Sequence, residues 1–553
     1  MIGVIANPSD EGVVREFFEL FKTPWEFYRG DRQYEVLLCT DDRRFEGTAK
    51  CILLYSGRRT QFDREHNVRY AASRVLLLEG NRIPIYGDTV TFPQEDRDFL
   101  WEECSQQSAA YVTPSAKGTV VRIGYDLFSE VRTLLTAGQP AANAHTPTLE
   151  LHISLLRDSI TGCGLPLVEV PPVPEGYPFI MCLTHDVDHP SLRQHRWDHT
   201  IFGFLYRAVV GSVANVIDGR RQFRDLVKNW IAVSKLPFVF LDLAKDFWCE
   251  FDDCYLKMED GLPSTFFLIA FKDNPGEGPE GGRAPAFRAS KYAARDLANT
   301  IDKLTAAGCE IGLHGVDAWR DSSKGRKELD EIRHLTGTPG VGVRMHWLYY
   351  DQDSPAALEK AGAEYDSTIG YSETVGYRAG TIQAYKPLQA GRLLELPLQA
   401  MDTALFYPAH LHLSMRKGRT LVDRMIEDAI QFGGCLTINW HDRSIFPERL
   451  WGECYRDLID DLRIHEPWFA TARQAVSWFR KRRAVTFETD CSEPGGISAK
   501  VMSEDGENLP RLRMRVREAR HSIRDHHQRS EGYIDIPFDK SVDAFSAVRL
   551  AHE

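Results

Sequence analysis

Apolar and polar positions fall into three regimes along the chain. In residues 1–165, short apolar runs alternate with helical patterns. "IGVIAN", "YEVLLCT", "KCILLYSG" and "SRVLLLEGNRIPIYG" read as strands. "EGVVREFFELF" and "GYDLFSEVRTLLTAG" carry apolar residues at helical spacing, the second stopped by Gly138. A proline-rich connector, "PLVEVPPVPEGYPF", marks a boundary near residue 175. From 176 to 482 the alternation resumes at longer spacing. Candidate strands are "FIMCLTHD", "STFFLIA", "EIGLHG", "VGVRMHW", "LLELPLQ" and "CLTINWHD", separated by helical stretches such as "KYAARDLANTIDKLTAAG" and "SPAALEKAGAEYD". Repeated strand-then-helix units predict an α/β fold with a parallel sheet, most economically closed as a (β/α) barrel. Residues 488–553 change to period-two alternation around Gly, Asn and Pro, which predicts a small C-terminal β-rich module for packing or glycan contact.

Two segments break this rhythm. "FKDNPGEGPEGGRAPAF", Phe271–Phe287, follows a strand and is too rich in Gly and Pro for a regular element; it reads as a surface loop or a lid at the strand's mouth. "TIFGFLYRAVVGSVANVI", Thr200–Ile217, is the most apolar long run. Arg207 interrupts it and it is short for a membrane span, so it reads as a buried or half-buried helix, with a monotopic membrane or partner contact as the alternative.

Composition narrows the class. The chain has 553 residues, 43% hydrophobic and 26% charged, as in soluble globular proteins, with a net charge of −12. An acidic chain is poorly suited to hold nucleic acid or anionic lipid over a broad surface. Eleven scattered cysteines without a C-x-x-C pair suit a reducing compartment. No export signal and no transmembrane segment are expected from the pattern, so a cytoplasmic location is expected.

The chemistry gathers at the ends of the candidate strands: Asp186 and Asp188 in the first, His314 in the third, Arg344 and His346 in the fourth, Asp402 beyond the fifth, His441 and Asp442 in the last. In a parallel barrel the C-terminal strand ends share one mouth, so residues distant in sequence can meet there. Asp186 and Asp188 are two apart and share a face, whereas His185 points the other way and reads as structural. Paired carboxylates invite a cation or a shared proton, and imidazoles are natural ligands for a divalent metal. A second carboxylate to take a proton, a histidine to give one and an arginine to orient the base complete the equipment for metal-assisted hydrolysis of an amide or ester. His189 and His195, past the first strand, are left open.

Residues 176–482 resemble the polysaccharide deacetylase (NodB-homology, carbohydrate esterase family 4) superfamily in its divergent T-H-D-x-D branch. "LTHDVD" is similar to its first motif, "EIGLHG" to the start of the second, "VRMHW" to the third, "ELPLQAMD" to the fourth and "LTINWHD" to the fifth, in the family's order. The resemblance implies a distorted (β/α) barrel and a divalent metal, usually zinc. It implies Asp186 as general base, Asp188 and His314 as metal ligands, Arg344 as the partner of Asp186, and His441 as general acid. The family's second-motif histidine is missing, because Ala318 stands four residues after His314. His346, two after Arg344, is the favoured third ligand, and Asp317 the alternative. "YDSTIGYSETVGYRAGT" offers Tyr371, Tyr377 and Arg378 for a sugar groove.

The function these features imply is a metal-dependent hydrolase that removes an acetyl group from an amino sugar or glycan. Two other readings stay open: a hydrolase of a non-sugar amide on the same barrel, and a non-catalytic glycan-binding protein whose metal site has decayed.

Overall fold

The computed structural model describes residues 1–40, 48–65, 71–72, 75–78, 81–92, 99–103, 106–115, 118–490, 496–502, 509–520 and 532–543. The chain divides into two compact units. One comprises Met1–Gly176, Ala379–Thr381 and Trp478–Glu553; the other comprises Tyr177–Arg378 and Ile382–Ser477.

In the first unit, strands Ile2–Ile5, Trp25–Phe27, Val36–Cys39, Cys51–Tyr55 and Gly118–Ile123 form a parallel sheet, with Ala110–Ser115 added antiparallel at one edge. Helix Glu11–Phe21 buries Val14, Phe17, Phe18 and Phe21, as its apolar spacing predicts. The period-two tail forms antiparallel strands. Val485–Asp490, Gly496–Val501 and Ser541–Asp543 make one sheet, while Leu512–Arg517 and Tyr533–Phe538 make another with Leu167–Glu169. Burial alone would raise the Glu169 carboxyl, but Arg157 and Arg517 together hold it at about 2.

Arg122 is fully buried and donates to Asp63 at 3.0 Å, and to the carbonyls of Ser56 and Arg58. Removing one partner of such a pair leaves a charge without a counterion in low dielectric. Asp63→Ala is therefore expected to destabilise this unit by about 3–5 kcal/mol, read as a lower urea midpoint of its unfolding transition.

The second unit holds the barrel. Its strands are β1 (Ile180–Val187), β2 (Ser264–Leu268), β3 (Glu310–Gly315), β4 (Val343–Met345), β5 (Ala400–Met401), β6 (Cys435–Asn439) and β7 (Trp468–Phe469). They pair in parallel in the order β4-β3-β2-β1-β6-β5, with β7 on the first residues of β1. Every residue of β1 is buried, because it lies in mid-sheet with neighbours on both edges. Main-chain hydrogen bonds continue beyond β4. Ser367 N donates to Val343 O, Leu396 N to Asp366 O, and Gln399 N to Thr437 O, which carries the ring back to β6. The apolar run 393–399 lies in this irregular closing stretch, and the regular strand begins only at Ala400. The result is the barrel expected from the pattern, distorted as the family resemblance implies.

The connection from β1 to β2 is the longest in the barrel. It contains the helical run His199–Tyr206, Arg207–Gly211 and Ser212–Ile217, whose middle piece is a π turn, followed by helix Phe223–Phe240. The run His199–Ile217 is long and apolar enough to cross a membrane by length and composition. Ile201, Phe204 and Ala208 on one side of it nevertheless sit in the same apolar core as Leu183 and Phe266 of the sheet.

Candidate metal centre and its flanking acid–base groups

Strand register assembles the site. The pairing of β3 with β4 sets His314 beside Arg344, and that of β1 with β6 sets Thr184 beside Asn439. Asp186 and Asp188 share a face of β1 and its extension, as their spacing requires. His185 points to the opposite side, where its Nε2 meets Glu259 Oε1 at 2.7 Å and its Nδ1 meets Trp440 O at 2.8 Å. It is a packed core histidine, in accord with its structural reading.

Asp188 is the hub. Its Oδ1 lies 3.4 Å from His314 Nε2 and 3.3 Å from His346 Nδ1. Its Oδ2 lies 3.9 Å from His441 Nε2. One ligand atom from each of Asp188, His314 and His346 falls within 4.8 Å of the others. Two atoms bonded to one tetrahedral ion at roughly 2.0–2.1 Å sit about 3.3 Å apart, which is the spacing seen here. Asp188 Oδ1 and His346 Nδ1 are buried and have no hydrogen-bond partner. Buried polar atoms of this kind are costly unless something binds them. His314 Nδ1 bonds Arg344 O at 3.0 Å, which sets the tautomer that leaves the Nε2 lone pair facing Asp188. Burial pushes His346 down to about 4, so its ring is neutral and able to ligate at neutral pH. Burial alone would raise the Asp188 carboxyl, but His314 and His346 hold it well below the usual carboxylate range. These three residues form a group that could hold a divalent metal.

Asp317 does not join them. Its carboxylate accepts from Asn274 Nδ2 at 3.0 Å and Glu277 N at 3.1 Å, anchoring the loop after β2. Its side chain serves the Gly/Pro-rich segment rather than the hub.

Asp186 lies on one side of the hub. Arg344 Nη1 donates to Asp186 Oδ1 at 3.1 Å and to Thr184 Oγ1 at 2.7 Å, while Asn439 Nδ2 donates to Asp186 Oδ2 at 2.8 Å. Arg344 is wholly buried, bonds Ser367 through Nε and Nη2, and sits 4.5 Å above the Phe267 ring. All three guanidinium nitrogens are engaged, so Asp186 has one orientation. His441 lies on the other side. Its Nδ1 meets Asp402 Oδ1 at 2.6 Å, and its main-chain N donates to Asp402 Oδ2 at 2.8 Å. Burial would lower the imidazole, but the Asp402 carboxylate outweighs it and pushes His441 up to about 9. His441 is therefore a cation at neutral pH, with Nε2–H turned to Asp188.

Several partners carried no strong sequence signal. Asn439 could have been found, since it ends β6 two residues before His441. Arg288 could not: it follows the Gly/Pro-rich loop, is buried, and donates to His346 O at 2.7 Å and Pro275 O at 2.6 Å. That bond steadies a strained turn, because Trp347 and Leu348 take φ of 64° and 54°. Trp347 and Phe287 are exposed and pack ring on ring at 5.4 Å, with His199 5.5 Å from Phe287. They make an aromatic rim beside His346. The residues expected to line a groove are engaged within the fold. Tyr377 is buried and donates to Asp428 at 2.8 Å, Tyr371 is buried, and Arg378 donates to Gly370 O. His189 and His195 bond each other at 3.2 Å, His189 N donates to Asp442 Oδ2, and His195 Nδ1 meets Asp198. They are absent from the metal-ligand group.

No family model matches the chain, and no curated protein matches it. Similar solved structures include a putative polysaccharide deacetylase from Mycobacterium smegmatis, 20% identical, covering 56% of this chain and 95% of that one, with a TM-score of 0.34. A probable polysaccharide deacetylase from Pseudomonas aeruginosa PAO1 is 16% identical, covering 55% and 92%, with a TM-score of 0.33. Puue allantoinase is 16% identical, covering 56% and 92%, with a TM-score of 0.34.

Proposed function

We propose that this chain is a metal-dependent hydrolase that removes an acetyl group from the nitrogen of an amino sugar or glycan. The observation that supports it best is the hub itself: two buried ligand atoms without partners, flanked by an oriented carboxylate and a cationic imidazole. A glycan-binding protein needs no such acid–base pair. A divalent ion held by Asp188, His314 and His346, zinc by the nature of the donor set, would supply Lewis-acid polarisation of the acyl oxygen and ease ionisation of water. The chain's own residues do the rest. Asp186, held as an acceptor by Arg344 and Asn439, takes the proton of the attacking water. His441 Nε2–H gives its proton to the departing nitrogen, and Asp402 stabilises the imidazolium until then. Trp347 and Phe287 offer aromatic faces against the apolar face of a sugar ring.

Metal content tests the ligand set. Purified protein is expected to hold one equivalent of zinc by mass spectrometry. His346→Ala is expected to weaken binding by about 10- to 100-fold or more, while Asp317→Ala leaves occupancy unchanged. The reverse pattern would exchange the third ligand. For the substrate, acetate release from a panel of N-acetylated sugars should exceed hydrolysis of non-sugar amides. A preference for the latter would replace the deacetylase reading.

A further inference from the structure

The connection between β1 and β2 reverses the usual logic of surface helices. Both of its long helical pieces bury one apolar stripe in the barrel core, yet each carries a second apolar stripe facing solvent. On the first run, Phe202, Tyr206, Val210, Val213 and Ile217 recur at steps of three or four and are exposed, Ile217 by 78%. On helix Phe223–Phe240, Phe223, Val227 and Ile231 recur at steps of four and are exposed, with Trp230, 50% exposed, beside Ile231 and exposed Phe238 seven residues further on. Solvated helix faces are normally polar, and contiguous exposed apolar surface of this kind marks a binding face.

Three observations say what covers it. The first is charge. Residues 191–246 contain nine lysines and arginines against five aspartates. Arg207 pairs with Glu448, Arg224 and Lys228 with Glu453, Lys245 with Glu250, Arg193 with Asp242 and Arg220 with Asp218. That leaves Arg196 and Lys235 as exposed cations with no carboxylate partner among the described residues. The acidic total argued against a broad anionic partner, but these two cations stand exposed beside the apolar stripes, where an anionic headgroup could pair them. An isologous contact with a second copy would set like charge against like; lipid phosphates would complement it. The second is composition. Tryptophan, tyrosine and phenylalanine beside lysine and arginine suit the headgroup boundary of a bilayer. The third is continuity with the site. The run opens at His199, whose ring packs on Phe287, which packs on Trp347, next to the hub residue His346. The inner stripe is committed to the barrel core, so these helices can lie on a membrane but not cross it.

We propose that the 199–241 hairpin lies in the interfacial layer of an anionic phospholipid bilayer and holds the barrel mouth against it. The consequence for substrate rests on the hydrolase reading above: an acylated sugar carried on a membrane lipid would be presented to Asp188 and its neighbours. The docking itself does not depend on turnover.

Flotation of the full chain with vesicles of phosphatidylglycerol and phosphatidylcholine tests it. The chain should float with these vesicles, less with phosphatidylcholine alone, and less as salt rises, with a blue shift of tryptophan emission. Trp230→Glu and Phe238→Glu should each weaken partitioning about tenfold or more, and Arg196→Glu with Lys235→Glu should remove the preference for the anionic lipid. Unchanged melting temperature and zinc content would show that these exposed substitutions leave the fold intact. Failure of the full chain to float, or equal flotation of wild type and Trp230→Glu, overturns the proposal. So does light scattering that shows a dimer dispersed by Trp230→Glu without vesicle binding, which would assign the face to a second copy. Because flotation needs no hydrolysis, its failure would leave the deacetylase reading standing, and loss of that reading would leave the docking result standing.

Discussion

Asp188→Asn is expected, on the proposed ligand set, to abolish divalent-ion binding and to lower turnover by about a thousandfold or more, the several kcal/mol that a bound ion supplies to a developing oxyanion. The substitution keeps shape and volume and removes only the charge. Asp188 Oδ1 is the atom shared by His314 and His346, at 3.4 and 3.3 Å, so no other side chain can replace it at the hub. Metal content and acetate release should fall together, with the folded structure preserved by circular dichroism. A variant that keeps full metal and full turnover would sink the assignment.

Asp402→Asn should move the alkaline limb of the pH–rate profile. His441 is raised to about 9, against a burial effect that lowers it, because the Asp402 carboxylate bonds its Nδ1 at 2.6 Å. In the mechanism proposed above, the acid form is the working form. Activity is therefore present below about 9 and lost as pH rises through it. Without the carboxylate, burial acts unopposed and the limb should fall to or below the ordinary histidine value of about 6.5. At neutral pH the rate should drop about 10²–10⁴-fold, comparable to His441→Ala. The double variant should be scarcely worse than His441→Ala alone, since the two residues act as one unit. A limb that stays in place would make Asp402 a packing residue only.

Much of the barrel can be read from the chain because its signals are local. Buried mid-sheet strands are continuous apolar runs; β1, β3 and β6 appear where such runs end in ionisable residues, and β2 where the run ends in the Gly/Pro-rich loop. The fifth apolar run, 393–399, misleads because it is equally apolar but belongs to the irregular closure of the ring, where register rather than hydrophobicity decides what is a strand. The apolar segment 200–217 reads as a buried or half-buried helix, and it is half-buried: one face is in the core, and composition alone cannot say which face stays exposed.

The site divides along the same line. Spacing within one strand separates Asp186 and Asp188 from His185, since period two is a property of the strand itself. By itself, then, the chain determined the parallel strand-and-helix repeat, the faces of each strand and the residue types brought to the mouth. The clamp of Asn439 on Asp186, the support of Arg288 under His346, the pairing of Asp402 with His441 and the engagement of Asp317 with the loop after β2 were decided only by the tertiary structure. Periodicity reports which side chains share a face of their own element. Which element stands opposite, and within a few ångströms, is set by closure of the ring and by loops whose course no local pattern encodes.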